Sequence, residues 1–284
     1  MASQDAESIT LLGLVCSPRR LGNSELLIKE VSSRLTLPHK LELARLPSFR
    51  ILPCSACYTC LFREGCVQQD DLPLLLDALC RADALVVSAP TYFLGPNAAL
   101  KNLLDRGLSF YSHADSLWGK PALGAAIAGI PGKEGYTKLA VESFLQCLLA
   151  DIRASEVFYA ALPGELLQEE ENLDRIQGLT SALEGKSASS SGICPVCGGD
   201  SFRFLSRQMV RCLLCGSEGG LEHSQEGVSV DLQTAGHEMF GDREKALRHL
   251  RWLQGMKDRF REKRRELLAL ARAYKGTGEW IEPK

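Results

Sequence analysis

No stretch of this 284-residue chain approaches the roughly 18 unbroken apolar residues that a membrane span needs, so no membrane is expected as a partner. Charge of one sign is also missing. The 33 Lys and Arg stand against 35 Asp and Glu, a formal net charge of -2, and nucleic acid is not an expected partner of the whole chain. Histidines number five, and His113, His237 and His249 fall at no spacing that would ligate a metal. The opening MASQDAES is acidic and polar, which predicts no export signal and a cytoplasmic location. Internal repeats and long low-complexity tracts are absent as well.

Cysteine, by contrast, is abundant. There are eleven, an odd number, and in a chain without an export signal they are expected to stay reduced rather than to form a disulfide framework. Cys54, Cys57, Cys60 and Cys66 fall within one short segment, and Cys194, Cys197, Cys212 and Cys215 form two CxxC pairs. Only Cys16, Cys80 and Cys147 stand apart; Cys80 and Cys147 lie on apolar helical faces and read as small buried hydrophobes.

Short apolar runs alternate with helical patterns through the first 164 residues. Strands are predicted at 8–16, 41–46, 84–90, 121–130 and 157–162, where runs of strand length are bounded by Gly, Pro or Ser. Helices are predicted at 24–35, with Ser24 as cap and Glu25 in the first turn, and at 71–81, 97–108 and 136–149. The alternation predicts an α/β fold, a doubly wound parallel sheet with ligands at the carboxyl ends of its strands. Four segments follow: 1–164 as the α/β domain, 165–192 as an acidic and Ser-rich linker, 193–235 as a four-cysteine module and 236–284 as a basic C-terminal helix.

Three loops are placed to hold a ligand. The first, Cys16-Ser-Pro-Arg-Arg-Leu-Gly-Asn-Ser24, runs from a strand into a helix, so free N–H groups and the positive helix end favour an anion there. Ser17, Asn23 and Ser24 can donate hydrogen bonds and Arg19 adds charge; a polar turn with a good helix cap explains the loop equally well. The second, Ser88-Ala-Pro-Thr-Tyr-Phe-Leu-Gly-Pro96, sets aromatic rings beside backbone amides, as suits a flat heterocycle, although such a turn more often fills a core. The third runs from Gly129 to Gly135 and can close over the same crevice. Its Lys133 and Glu134 read as solvated residues.

These loops resemble those of the flavodoxin-like NAD(P)H-dependent FMN reductases and, within them, the iron-sulfur flavoproteins, over about residues 8–162. The resemblance implies a flavodoxin-like sheet. It implies FMN, with the phosphate held by Ser17, Arg19, Asn23 and Ser24, the ring bordered by Pro90, Thr91, Tyr92, Phe93 and Gly95, and the pocket completed by Gly129 and Gly132. Cys16 stands where these loops usually have Gly or Ser. The spacing of Cys54, Cys57, Cys60 and Cys66 resembles the compact motif of the iron-sulfur flavoproteins, which implies one [4Fe-4S] cluster. Cysteines two residues apart can wrap a cubane more readily than they can pair with each other, and a single zinc on the four remains an alternative.

The second quartet, CPVCG and CLLCG with fourteen residues between the CxxC pairs, reads as a zinc ribbon, or as a mononuclear iron site of similar ligand pattern, with Phe202 and Phe204 as its small core. Beyond it, residues 242–275 carry twelve Lys or Arg against five Asp or Glu. Ala246, Leu250, Leu253, Met256, Phe260, Leu267, Ala271 and Tyr274 keep helical spacing, which predicts an apolar stripe that packs. Such a helix braces a subunit interface, consistent with a homo-oligomer, or steers an acidic electron carrier.

The expected function is an electron-transfer flavoprotein. By resemblance its donor would be a ferredoxin and its acceptor a quinone, oxygen or peroxide. An NAD(P)H-dependent FMN or quinone reductase and a redox-sensing regulator whose ribbon contacts nucleic acid are the alternatives.

Overall fold

A computed structural model describes residues 8–63, 65–186, 194–224, 227–234, 236–279 and 281. Five strands, β1 (Ile9–Val15), β2 (His39–Arg45), β3 (Ala84–Tyr92), β4 (Pro121–Ala128) and β5 (Asp151–Tyr159), form a parallel sheet in the order β2-β1-β3-β4-β5. The order reverses between β1 and β3, where the loops leaving the two strands diverge and open a crevice. A two-residue return, Gly95–Pro96, pairs antiparallel with the end of β3.

Alternate residues of the strands feed two apolar layers, because successive side chains leave a strand on opposite faces. On one face, Leu12, Leu14, Leu85 and Val87 pack with helices α2 (Leu72–Arg81), α3 (Ala98–Asp105) and α4 (Thr137–Cys147). On the other, Leu11, Val15, Val86 and Leu123 meet α1 (Asn23–Arg34) and α5 (Glu170–Leu183). Gly13 lets α1 approach β1 closely, since a Cβ there would strike Ile28.

In this first unit, three sequence expectations need correction. Residues 170–183, expected as acidic linker, are α5: Ile176, Leu179 and Leu183 recur at helical spacing and are buried, so the first unit runs on to about residue 186. Strand β5 begins six residues before the expected 157, at Asp151; it is the edge strand, and its exposed Asp151 and Arg153 mask the apolar pattern. Helix α1 starts at Asn23 behind Gly22, not with Ser24 as cap.

The four-cysteine module is a second, antiparallel sheet of β6 (Phe202–Phe204), β7 (Met209–Cys212), β8 (Glu218–Ser224) and β9 (Gly227–Gln233). Its core is Val210, Leu214 and Leu232, with Phe202 beside them and Leu139 of α4 closing it from the first unit. Phe204 is exposed, contrary to expectation. Helix α6 (Arg243–Arg272) starts on Asp242, whose carboxylate accepts from the Lys245 N–H at 2.8 Å. The expected stripe packs only in its first half. Ala246 is buried with Ala114 and Leu149, and every described residue from Lys257 to Lys275 is exposed.

Candidate functional site

The loop after β1 is braced from behind. Arg45, at the end of β2, donates from Nη1 to the carbonyls of Ser17 (3.0 Å) and Arg19 (2.8 Å), and its Nη2 meets Glu25. Glu25 also accepts from the Leu21 N–H at 2.8 Å, which supports the left-handed φ of 51° at Leu21. Burial works against the Glu25 charge, but Lys29, Arg45 and the Leu21 N–H more than offset it and hold the carboxyl down at about 2. From the side, the buried Asn97 donates to the Cys16 carbonyl. The loop thus stands preformed at the positive end of α1.

Ser17, Arg19, Asn23, Ser24, Pro90, Thr91, Tyr92 and Gly129 line one cleft, together with Gly22, Ile127, Ala160, Ala161 and Pro163. The Ser17 and Ser24 side chains are buried at its floor. Asn23 has a different part from the one expected. Its amide donates to the carbonyls of Ala160 (3.2 Å) and Leu162 (3.0 Å) and its oxygen accepts from the Gly164 N–H (2.9 Å), so it ties the β5 exit to the loop and leaves only its backbone N–H for an anion. Three other expected residues lie outside the lining. Phe93 is fully exposed at φ 50°, Gly95 is packed where a Cβ would lie 2.6 Å from the Tyr136 ring, and Gly132 makes a left-handed turn with open space around it. Glu134, expected to be solvated, accepts from the Tyr159 hydroxyl at 3.0 Å.

An anion with a flat ring fits this cleft: helix N–H groups, two hydroxyls and Arg19 at one end, and Pro90, Thr91 and Tyr92 along the β3 exit. Arg45, Asn97 and the β5 exit were not found by sequence reasoning. Arg45 signals itself only through the apolar strand that it ends.

The first cysteine quartet occupies the loop from β2 to α2. Cys54 and Cys57 are exposed, Cys60 and Cys66 half-buried, and none of the eleven cysteines is in a disulfide. Among the described residues, these four sulfurs are not gathered into a group that would hold one metal ion. They are nevertheless neighbours: burial first, then Cys66, Cys57 and Cys54, push the Cys60 thiol up, while hydrogen bonds from Thr59 and Ser55 bring Cys57 down to about 7. Sulfurs that are close but not convergent suit a cubane, whose four ligands bind four different irons, better than a single tetrahedral ion. The loop shares no residue with the cleft lining.

The second quartet does converge. Cys194, Cys197, Cys212 and Cys215 place their sulfurs within 4.8 Å of one another, with Cys194–Cys215 at 3.7 Å and Cys197–Cys212 at 3.6 Å. A tetrahedron with metal–sulfur bonds of about 2.3 Å has edges of roughly 3.8 Å. Each CxxCG turn closes on a left-handed glycine, Gly198 (φ 72°) and Gly216 (φ 79°), whose N–H donates back to the first cysteine's carbonyl.

The histidines form no metal group of three ligand atoms among the described residues, but two of them meet: His237 Nε2 and His249 Nδ1 are 2.7 Å apart beside Trp252. The first twelve residues of α6 therefore have a firm seat against Tyr111 and Ala114. No described helix is long and apolar enough to cross a membrane.

Residues 9–148 match the family described as NADPH-dependent FMN reductase. An iron-sulfur flavoprotein of Archaeoglobus fulgidus is 33% identical over 110 residues, 38% of this chain and 50% of the relative. One from Methanosarcina thermophila is 30% identical over 93 residues, 33% of this chain and 48% of the relative. The match thus spans about half the length of these relatives. A solved structure titled flavone reductase superposes with a TM-score of 0.72 at 18% identity, over 97% of this chain and all of that one. The flavodoxin-like fold followed by a small antiparallel module and a terminal helix is therefore an arrangement found elsewhere.

Proposed function

We propose that this chain is an FMN-dependent oxidoreductase that moves electrons between a [4Fe-4S] cluster on Cys54, Cys57, Cys60 and Cys66 and FMN in the cleft at the ends of β1 and β3. The observation that carries the reading is the preformed anion loop at the head of α1, in a chain that also displays four neighbouring, non-convergent thiols on the next strand exit. The bound groups would supply the redox chemistry, single electrons at the cluster and one or two at the flavin.

The protein's own part is binding and orientation. Arg19, Ser17, Ser24 and the first N–H groups of α1 would bind the phosphate. Pro90, Thr91 and Tyr92 would flank the ring, and the Thr91 hydroxyl is fixed by its bond to the Thr137 hydroxyl at 2.9 Å. The second quartet would hold zinc and staple the C-terminal module; it leaves no open coordination position for a substrate.

The donor that fits is an acidic one-electron carrier of the ferredoxin kind, because the exposed half of α6 is basic and α6 also touches the cysteine loop. Quinones, oxygen and peroxide are the acceptors to try. The family description supports a second reading, in which NADPH reduces the flavin directly.

Anaerobic purification with FMN, iron, sulfide and zinc stoichiometry tests the assignment, followed by stopped-flow reduction with reduced ferredoxin against NADPH. One FMN, four irons, four sulfides and one zinc per chain are expected, with ferredoxin the faster donor. Replacing Cys57 by Ala should abolish iron and sulfide uptake and leave FMN bound. A chain with FMN but no iron or sulfide after anaerobic reconstitution would overturn the cluster, and faster reduction by NADPH would favour the second reading.

A further inference from the structure

A buried ion pair closes the base of the cysteine loop. The Asp70 and Arg106 side chains are 0% and 1% exposed and contact each other. Asp70 accepts from the Leu52 N–H at 2.9 Å and from the Leu72 N–H at 3.1 Å, so one carboxylate ties the segment entering the loop to the segment leaving it. Arg106 Nη1 donates to the Leu52 carbonyl at 2.7 Å, the Asn102 amide to the Ile51 carbonyl, and the Gln68 amide to the Pro53 carbonyl at 2.9 Å. All of these bonds act on residues just outside the four cysteines.

One donor in this clasp is unused. Arg106 Nη2 is buried and has no hydrogen-bond partner among the described residues. An unmet donor on a buried charged group is costly, so a native site ordinarily supplies an acceptor. The neighbour at hand is Cys66. Burial disfavours the guanidinium charge, and Asp70 first, then the Cys66 sulfur, more than offset that effect.

We propose that Arg106 is a positioning residue for the cluster: it locks the loop base through Asp70 and offers Nη2 to the anionic sulfur at Cys66. This rests on the [4Fe-4S] reading above. One electron entering the site adds one negative charge and makes or breaks no bond. A fixed cation beside Cys66 therefore favours the reduced state, and Asp70, one bond further away, opposes it more weakly.

The test is an EPR-monitored redox titration of the anaerobically reconstituted full chain, with FMN, iron and sulfide contents measured alongside. Arg106→Gln should lower the cluster's midpoint potential by a factor of about ten in the reduction equilibrium, which is about 59 mV for one electron, and Asp70→Asn should raise it by less than that. A purely structural clasp would not move the two in opposite directions. Shifts of the same sign, or none, overturn the proposal. Where a single variant leaves a buried charge unpaired and loses its iron, the double variant Asp70→Asn/Arg106→Gln decides. It should load iron and lie below the wild type by less than Arg106→Gln alone. A double variant at the wild-type potential, or one that binds FMN without iron, also overturns the charge role. A wild-type chain that takes up no iron or sulfide refutes the cluster reading itself, a separate and visible result.

Discussion

Gln254 of α6 donates from Nε2 to the Leu61 carbonyl at 2.6 Å, so the last helix is bonded to the residue that follows Cys60. Next to it Lys257 sits over the Phe62 ring, its ammonium 5.2 Å from the ring centre. The outer wall of the cysteine loop is thus built by the C-terminus, far away in sequence.

Gln254→Ala combined with Lys257→Ala should loosen that wall. One hydrogen bond and one cation–π contact at about 1 kcal/mol each predict iron loss to a chelator up to roughly thirty times faster, with FMN affinity unchanged. Chelation followed by absorbance measures it; wild-type rates would show that the helix does not shield the loop.

In the cleft, Ser17→Ala with Arg19→Ala should weaken FMN binding by several kcal/mol at most, since charge-assisted hydrogen bonds contribute about 1.5 to 3 kcal/mol each. Riboflavin lacks the phosphate and should bind nearly as before. Fluorescence titration with both ligands separates the outcomes, and equal losses would remove the phosphate role.

Glu142 of α4 is buried against the ribbon, and Lys138, which contacts both it and Asp200, gives its closer bond to Asp200. Burial pushes the Glu142 carboxyl up to about 7, with Lys138 lowering and Asp200 raising it more weakly. The folded state therefore holds a proton that the unfolded chain gives up near its ordinary value of 4.5, so this residue's contribution is full below about 4.5 and is lost as pH rises through about 7. Glu142→Gln should remain stable across that window and exceed the wild type at pH 8 by about 1 to 3 kcal/mol. Paired urea melts at pH 5 and pH 8 check it; parallel losses in both proteins would assign the effect to other groups.

Charge reversal at Arg261, Lys263 and Arg264, all on the exposed half of α6, should slow reduction by ferredoxin several-fold at low salt and leave a small uncharged donor unaffected. Stopped-flow traces at two ionic strengths read this out. Ferredoxin rates indifferent to reversal and to salt would leave the helix a packing role alone.

The parallel sheet and the strand-to-helix loop after β1 were legible because buried strands and strand-to-helix turns write local patterns, whereas the strand order is a non-local property. Edge strand β5 was misplaced because Arg153 and Glu156 interrupt its apolar run. Helix α5 was hidden by its own exposed face, where Glu169, Glu170, Glu171 and Asp174 outweigh the buried Leu179 and Leu183. At the site, Ser17, Arg19, Asn23 and Ser24 were readable as one strand-to-helix loop from type and spacing, and they line one cleft. Arg45, Asn97 and the clasp of Asp70 and Arg106 were not, since each acts on backbone carbonyls or amides 18 to 81 residues away. Phe93 was expected against a ring because of its aromatic character, but left-handed φ values at Phe93 and Leu94 carry it out to solvent.

The bond between Gln254 and Leu61 also sets an order of assembly on the ribosome. Synthesis runs from the N-terminus, and domains generally fold as they emerge, so residues 9–159 can close their sheet while the last helix is still untranslated. During that interval the cysteine loop has its clasp at the base but lacks its outer wall. Residues 243–258 then add that wall, so a chain stopped short of them should close its sheet and clasp yet lack the bond from Gln254 to Leu61.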